Sequence, residues 1–198
     1  MPIERPTKLH LQSYNYTVSA FLEVYEKPLY ILDPPYQRGS LWDRTKKQNL
    51  LLSLVRGIPT GAIVINKRPY DKRADYAVGA VVDGRQRLEA IRDFFTDRLE
   101  VPALWFDDDM VTETCGDIEY QGEMTPGVIH SGLSKKGQLF FQMRPMPTVE
   151  ASVRTVQEEA ELYALVNFGG VEQTDLDLQR SLEVQDVPVV GDDPFLIG

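Results

Sequence analysis

The sequence predicts a mixed fold of strands and helices, either α/β or α+β. Two observations point there: short apolar runs alternate with stretches of helical period, and the switches fall at proline or glycine turns. The sharpest switch follows the apolar run 77–82, which stops at Asp83-Gly84; from Arg85 onward Leu88, Ile91, Phe94 and Phe95 recur at helical spacing. With 198 residues the chain is long enough to build one sizeable core.

Each element follows from local chemistry. Residues 17–25 read as a short helix that Thr17 can cap, with Val18, Phe21, Leu22 and Tyr25 on one face and Pro28 closing it. Residues 29–32 are strand-like and are halted by Asp33-Pro34-Pro35, because proline brings no ladder donor. Asp43 or Thr45 opens a second helix through Arg56; Leu50, Leu51, Leu54 and Val55 share its face, and Gly57 stands where a C-terminal cap belongs. Residues 62–65 form a buried-strand pattern, and residues 99–106 return to extended structure. Residues 107–137 show an acidic cluster, scattered glycines and no sustained period, so they read as a long irregular excursion with a small hairpin ending in residues 138–143. Residues 157–168 make a helix ended by Gly169-Gly170, residues 174–183 a shorter one, and residues 184–198 a loose tail.

Composition narrows the classes of function. Hydrophobic residues make up 42% and charged residues 26%, an ordinary globular balance that excludes wholesale disorder and fibrous repeats. No apolar run approaches the roughly 20 residues that span a bilayer, and the N-terminus lacks an apolar signal core, so a soluble, cytoplasmic protein is expected. The single cysteine, Cys115, excludes a disulfide within the chain and a cysteine-built zinc site; two histidines, His10 and His130, are too few for a histidine-rich metal nuclease centre. Charge is divided unevenly. Residues 1–98 carry 16 Lys and Arg against 11 Asp and Glu, a net of +5, whereas residues 99–198 carry 5 against 19, a net of −14. The overall −9 argues against passive DNA binding, which phosphate attraction dominates, and leaves room for a focused phosphate pocket in the basic half.

Two clusters carry chemistry. In Val81-Val82-Asp83-Gly84-Arg85-Gln86-Arg87-Leu88 a strand feeds a glycine turn, and the helix opens with two arginines in its first turn. A helix N-terminus is already positive, so cations there cost stability unless an anion answers them; a phosphate accepts backbone N–H bonds and arginine forks together. Asp83 can hold a metal ion, orient an arginine or accept a proton. The plainer reading has Asp83 capping the helix and the arginines paired with Glu89 and Asp93. In the second cluster, Asp33-Pro34-Pro35-Tyr36-Gln37-Arg38-Gly39-Ser40-Leu41-Trp42, rigid prolines present an aromatic, an amide and a guanidinium in succession. It reads as a stacking and phosphate-gripping loop, or as a turn whose aromatics fill the core. The triplet Asp107, Asp108 and Asp109 suits Mg²⁺ by its hard oxygens, or is simply solvated, and His130 reads as an ordinary surface or core residue.

In this order, separated by a helix and a strand, the clusters resemble the N-terminal domain of GmrSD-type modification-dependent restriction proteins, within the ParB/sulfiredoxin superfamily. The family pattern is a Pro-x-Tyr-Gln-Arg-x-x-x-Trp loop, a helix, a Gly-x-Pro-x-Gly turn, a strand and Asp-Gly-Gln-Gln-Arg. Here the loop is Pro34-Pro35-Tyr36-Gln37-Arg38 with Trp42, the turn is Gly57-Ile58-Pro59-Thr60-Gly61, and Arg85 replaces the first glutamine of the last motif. Asn167-Phe168-Gly169-Gly170 with Thr174 is similar to a downstream Asn-x-Gly-Gly segment, so the resemblance covers about residues 15–183.

The resemblance implies a ParB/sulfiredoxin-like α+β domain over residues 1–183: a small mixed sheet flanked by helices, with 107–137 as a long irregular insertion. It implies that Asp83, Gly84, Arg85, Gln86 and Arg87 hold a nucleotide's phosphates, that Tyr36, Gln37 and Arg38 complete the site from a facing loop, and that Asn167 and Thr174 stand on a neighbouring wall. Arg38, Arg85 and Arg87 would neutralise phosphate charge; Mg²⁺ is the expected co-ion of ATP or another NTP, and Asp83 the acid to touch it or activate an acceptor. The expected activity is NTP hydrolysis or phosphotransfer in phage or bacterial DNA modification or defence. An NTPase or kinase is favoured over a nuclease, since the family's C-terminal HNH nuclease domain has no counterpart in these residues. Two alternatives are a kinase of a hydroxymethylated DNA base, and a non-catalytic sensor of nucleotide or modified DNA that inhibits a restriction complex.

Overall fold

The computed structural model describes residues 9–26, 30–32, 34, 36, 42–67 and 79–168. Its centre is a five-stranded mixed sheet in the order β1-β8-β3-β4-β2. Here β1 is Leu11–Thr17, β2 Tyr30–Ile31, β3 Ile63–Lys67, β4 Gly79–Asp83 and β8 Pro145–Ala151. The edge strand β1 runs antiparallel to β8, β8 parallel to β3, β3 antiparallel to β4, and β4 parallel to β2. Four helices complete the central layer: α1 (Val18–Glu26), α2 (Arg44–Val55), α3 (Arg85–Phe95) and α5 (Val156–Phe168).

The apolar runs of β3 and β4 are continuous because helices cover both faces of the sheet. Alternation then sorts the side chains. Ile63, Ile65 and Val81 join Phe21, Leu51, Leu54, Leu88, Ile91 and Phe94 in the main core, against α1, α2 and α3. Val64, Val82 and Ala151 point the other way and pack with Leu162 of α5. The caps behave as local chemistry dictates. The Asp43 carboxylate accepts the Lys46 N–H at 2.8 Å to start α2, and Gly57 at φ +70° follows its last turn. Helix α5 opens on a reciprocal pair, with Glu158 N–H donating to Thr155 Oγ1 at 3.1 Å and Thr155 N–H donating to Glu158 Oε2 at 3.2 Å.

The segment expected to be an irregular excursion is ordered. Strand β5 (Val101–Pro102) pairs with β7 (Glu123–Val128), which pairs with β6 (Asp117–Tyr120), and α4 (Lys135–Gln142) follows. The β6–β7 hairpin turns through Gln121 and Gly122, both at positive φ (55° and 83°), the geometry that matches strand twist in a two-residue turn. The hairpin therefore lies before residues 138–143, and most of those residues belong to α4 instead. Of residues 99–106 only Val101 and Pro102 are strand; a 3₁₀ turn follows at Ala103–Trp105. The segment is not a separate lobe: Phe106, Met110, Val128, Leu133 and Phe141 enter the main core. His130 is a core residue, with its ring among those of Phe94, Phe95 and Phe141. Burial holds its pKa below the usual 6.5, against an opposing pull from Asp97. The helix expected over residues 174–183 and the tail 184–198 lie outside the described residues. No described helix is long and apolar enough to cross a membrane.

Candidate functional site

Sheet topology brings the sequence motifs together. β3 is antiparallel to β4, so it begins beside the end of β4, with Val64 opposite Asp83. The Gly57–Gly61 turn before β3 and the Gly84 turn after β4 therefore meet there. The β3–β4 register shifts between Val64 and Ile65, next to Asp83, as bulges commonly do near sites that re-aim a side chain.

Gly84 is the N-cap of α3, at φ +101° and with no side-chain capping bond. A Cβ there would lie 2.4 Å from Ile63 Cδ1, so both backbone and space demand glycine. The first turn of α3 then sends three side chains in different directions. Arg85 Nε donates to Glu89 Oε1 at 2.8 Å. Gln86 Oε1 accepts the backbone N–H of Trp42 at 3.2 Å, which ties the end of the β2 loop to α3. Arg87 Nη2 donates to Asp83 Oδ2 at 2.5 Å and to the carbonyl of Ala62 at 2.9 Å, which clamps the turn before β3 onto the end of β4. Asp83 thus pairs with Arg87 rather than capping the helix, and Asp93 is taken by Lys47 of α2 at 2.7 Å.

Arg87 stands between two cavities. On the α2 side, about 320 Å³ is bounded by Trp42, Lys46, Asn49, Ser53, Thr60 and Arg87. On the α5 side, about 330 Å³ is bounded by Leu11, Val64, Val149, Leu162 and Val166, together with Asp83 and Arg87. Gly61 lines both; a Cβ on it would sit 3.3 Å from Arg87 Nη1. Arg87 Nε and Thr60 Oγ1 are buried and have no hydrogen-bond partner among the described residues. Trp42 belongs to the second sequence cluster, whereas sequence reasoning does not single out Lys46, Asn49 or Thr60 as ligands. Only the polar period of α2 at 46, 49 and 53 hints at a second, non-core face.

The remaining expected residues fall elsewhere. Tyr36 is buried on the α5 face, with its ring against Tyr163 (5.6 Å between centroids) and its hydroxyl donating to Glu159 Oε2 at 3.2 Å; it lines neither cavity. Glu159 is fully buried and also accepts from Asn66 Nδ2 at 2.6 Å, while Asn66 brackets Val153 through both its N–H and its carbonyl. This polar knot joins Tyr36, Asn66 and Val153 to α5, and the sequence gives little sign of it, since a glutamate in a helix reads as a solvated face. Asn167 is exposed on α5, its amide donating to the Tyr163 carbonyl at 2.9 Å. Gln37, Arg38 and Thr174 lie outside the described residues. Among the described residues no group of three or more His, Cys, Asp or Glu could hold a metal ion, and Asp109 of the acidic triplet pairs with Lys136 at 2.6 Å.

Comparison with curated proteins and with solved structures finds no match. The family model described as GmrSD restriction endonuclease, N-terminal domain, matches residues 18–182. That span takes in the β2 loop, both glycine turns and α5. The chain belongs to this family and hence to restriction-type DNA defence.

Proposed function

We propose that this chain binds a nucleoside triphosphate, with Mg²⁺ as co-ion, at the sheet end where Arg87 stands, and hydrolyses it or passes on its terminal phosphoryl group. One observation carries the reading: Arg87 is held where the Gly57–Gly61 and Gly84 turns meet, with a cavity on either side of it. Its guanidinium is answered at present by one carboxylate, Asp83, through a single nitrogen. A phosphate offers more oxygens and more charge, and so competes for the fork. Once Arg87 turns to phosphate, the Asp83 carboxylate is released to orient an acceptor or to touch the metal ion. Mg²⁺ is commonly held by one or two carboxylates plus substrate phosphates, so Asp83 alone is enough protein for it. Gln37 and Arg38, next in sequence to Tyr36, would add an amide and a second guanidinium to the site.

A second reading is a sensor without turnover, whose partner is nucleotide or DNA carrying modified bases. It is favoured by the commitment of Asp83 to Arg87 and by the lack of any other carboxylate on either cavity among the described residues. Incubation of the full chain with Mg²⁺ and each labelled NTP separates the two. Release of phosphate supports the enzyme, protection without release supports the sensor, and no binding of any NTP overturns both nucleotide readings.

A further inference from the structure

The two cavities beside Arg87 differ in chemistry, and that difference assigns a direction to the ligand. We infer that the α2-side cavity is a phosphoryl-group subsite in which Lys46 and Thr60 act with Arg87. This rests on the nucleotide reading for its choice of nucleotide as the source of the phosphoryl group, but it uses neither the N-terminus of α3 nor the β2 loop.

The α5-side cavity is walled by Leu11, Val64, Val149, Leu162 and Val166, and among the described residues its one anionic group is Asp83. A phosphate placed there would exchange water for aliphatic carbon and would face a carboxylate; both effects oppose it. The α2-side cavity has the reverse character. It gathers two cations, Lys46 and Arg87, with the hydroxyl of Thr60 and the amide of Asn49, and among the described residues no carboxylate lines it. Two residues that line it, Arg87 and Thr60, each carry a buried polar atom, Nε and Oγ1, without a partner among the described residues, and buried donors left unmade are destabilising. A water molecule would satisfy Thr60 but would leave the Lys46 ammonium unanswered and Arg87 with the Asp83 carboxylate on one nitrogen. A phosphoryl group satisfies all three, accepting from Nε, from the hydroxyl and from the ammonium.

Helix α2 is built to present this wall. Lys46, Asn49 and Ser53 follow one another at three- and four-residue steps, so they share a face, while Leu50, Leu51, Leu54 and Val55 turn into the core. The Ser53 hydroxyl already donates to the Asn49 carbonyl at 2.9 Å, which leaves Lys46 and Asn49 as the open groups of that face. Lys46 is exposed, so its substitution does not disturb packing.

The test is a set of calorimetric titrations of the full chain with sodium tripolyphosphate, with ATP and GTP, and with a short DNA duplex. Wild type is compared with Lys46→Ala and with Lys136→Ala, a distant exposed lysine. Tripolyphosphate and a nucleoside triphosphate are expected to bind wild type, to weaken about tenfold in Lys46→Ala, and to be unaffected by Lys136→Ala. Nucleotide binding that Lys46→Ala leaves intact overturns the subsite while sparing the nucleotide reading. Tripolyphosphate or duplex binding that Lys46→Ala weakens, with no binding of ATP or GTP, keeps the subsite and overturns ATP and GTP as the source of its phosphoryl group. A wild type that binds none of the probes overturns the subsite.

Discussion

At the scale of single residues, the site depends on where one glycine lets the backbone go. Gly84 holds φ +101° and leaves room for Ile63 Cδ1, so Gly84→Ala adds backbone strain and a steric overlap together. We expect it to cost about 3 kcal/mol in urea unfolding, from roughly equal conformational and overpacking parts. A loss below about 1 kcal/mol would mean that the turn is not left-handed. The pattern of a strand, Asp-Gly and then a helix was readable in the sequence because each change of period falls on a residue with a known backbone preference. The partners of Arg85 and Arg87 were readable only in part. Glu89 lies four residues after Arg85 and Asp83 four residues before Arg87, whereas the Ala62 contact of Arg87 exists only once β3 and β4 are side by side.

At the scale of elements, α1, α2, α3 and α5 were legible, whereas α4 and the strands β1, β6, β7 and β8 were not. Asp43 announces α2 correctly, and Asp43→Ala should lower stability by about 1 kcal/mol while Asp43→Asn retains most of it, measured by thermal or urea unfolding. Equal losses in both variants would show that charge rather than the capping bond matters. The strand β8 escaped notice because its Pro145, Pro147 and Glu150 contradict the usual strand signature. In the fold Glu150 is buried and takes the Tyr16 hydroxyl and the Lys67 ammonium, the latter at 2.8 Å, while the bond from Tyr16 to Glu150 pushes that tyrosine up to about 12. The strand β1 is exposed along most of its length, so little apolar alternation marks it. Thr155-x-x-Glu158 was a readable capping signal for α5. The ordered insertion was hidden because its hairpin strands are half exposed and its apolar residues become core only by contact with α3.

At the scale of the whole molecule, the insertion and the central layer share one core, and His130 sits at that junction among Phe94 and Phe95 of α3 and Phe141 of α4. Its pKa is depressed in the fold, chiefly by burial, so the unfolded chain binds the proton first as pH falls. Stability should therefore drop as pH falls below the ordinary 6.5 toward the depressed folded value, and be indifferent to this group above it. His130→Phe should flatten that part of the pH–stability curve; an unchanged curve would show that carboxylates alone govern it. The charge division has a molecular consequence as well, for every residue lining the α2-side cavity comes from the basic half of a chain whose net charge is −9. Cations gathered at one place on a net-acidic chain suit a compact anion better than a long polyanion.

The central claim is that Arg87 receives a nucleotide's phosphates. The most direct measurement is a calorimetric titration of wild type and Arg87→Lys with each NTP in Mg²⁺, alongside melting temperatures for both. The substitution keeps the charge and removes the fork. Wild type should bind at least one NTP, and Arg87→Lys should lose about tenfold or more in affinity with its fold intact. An Arg87→Lys chain that melts normally and binds as tightly as wild type, or a wild type that binds no NTP, would contradict it.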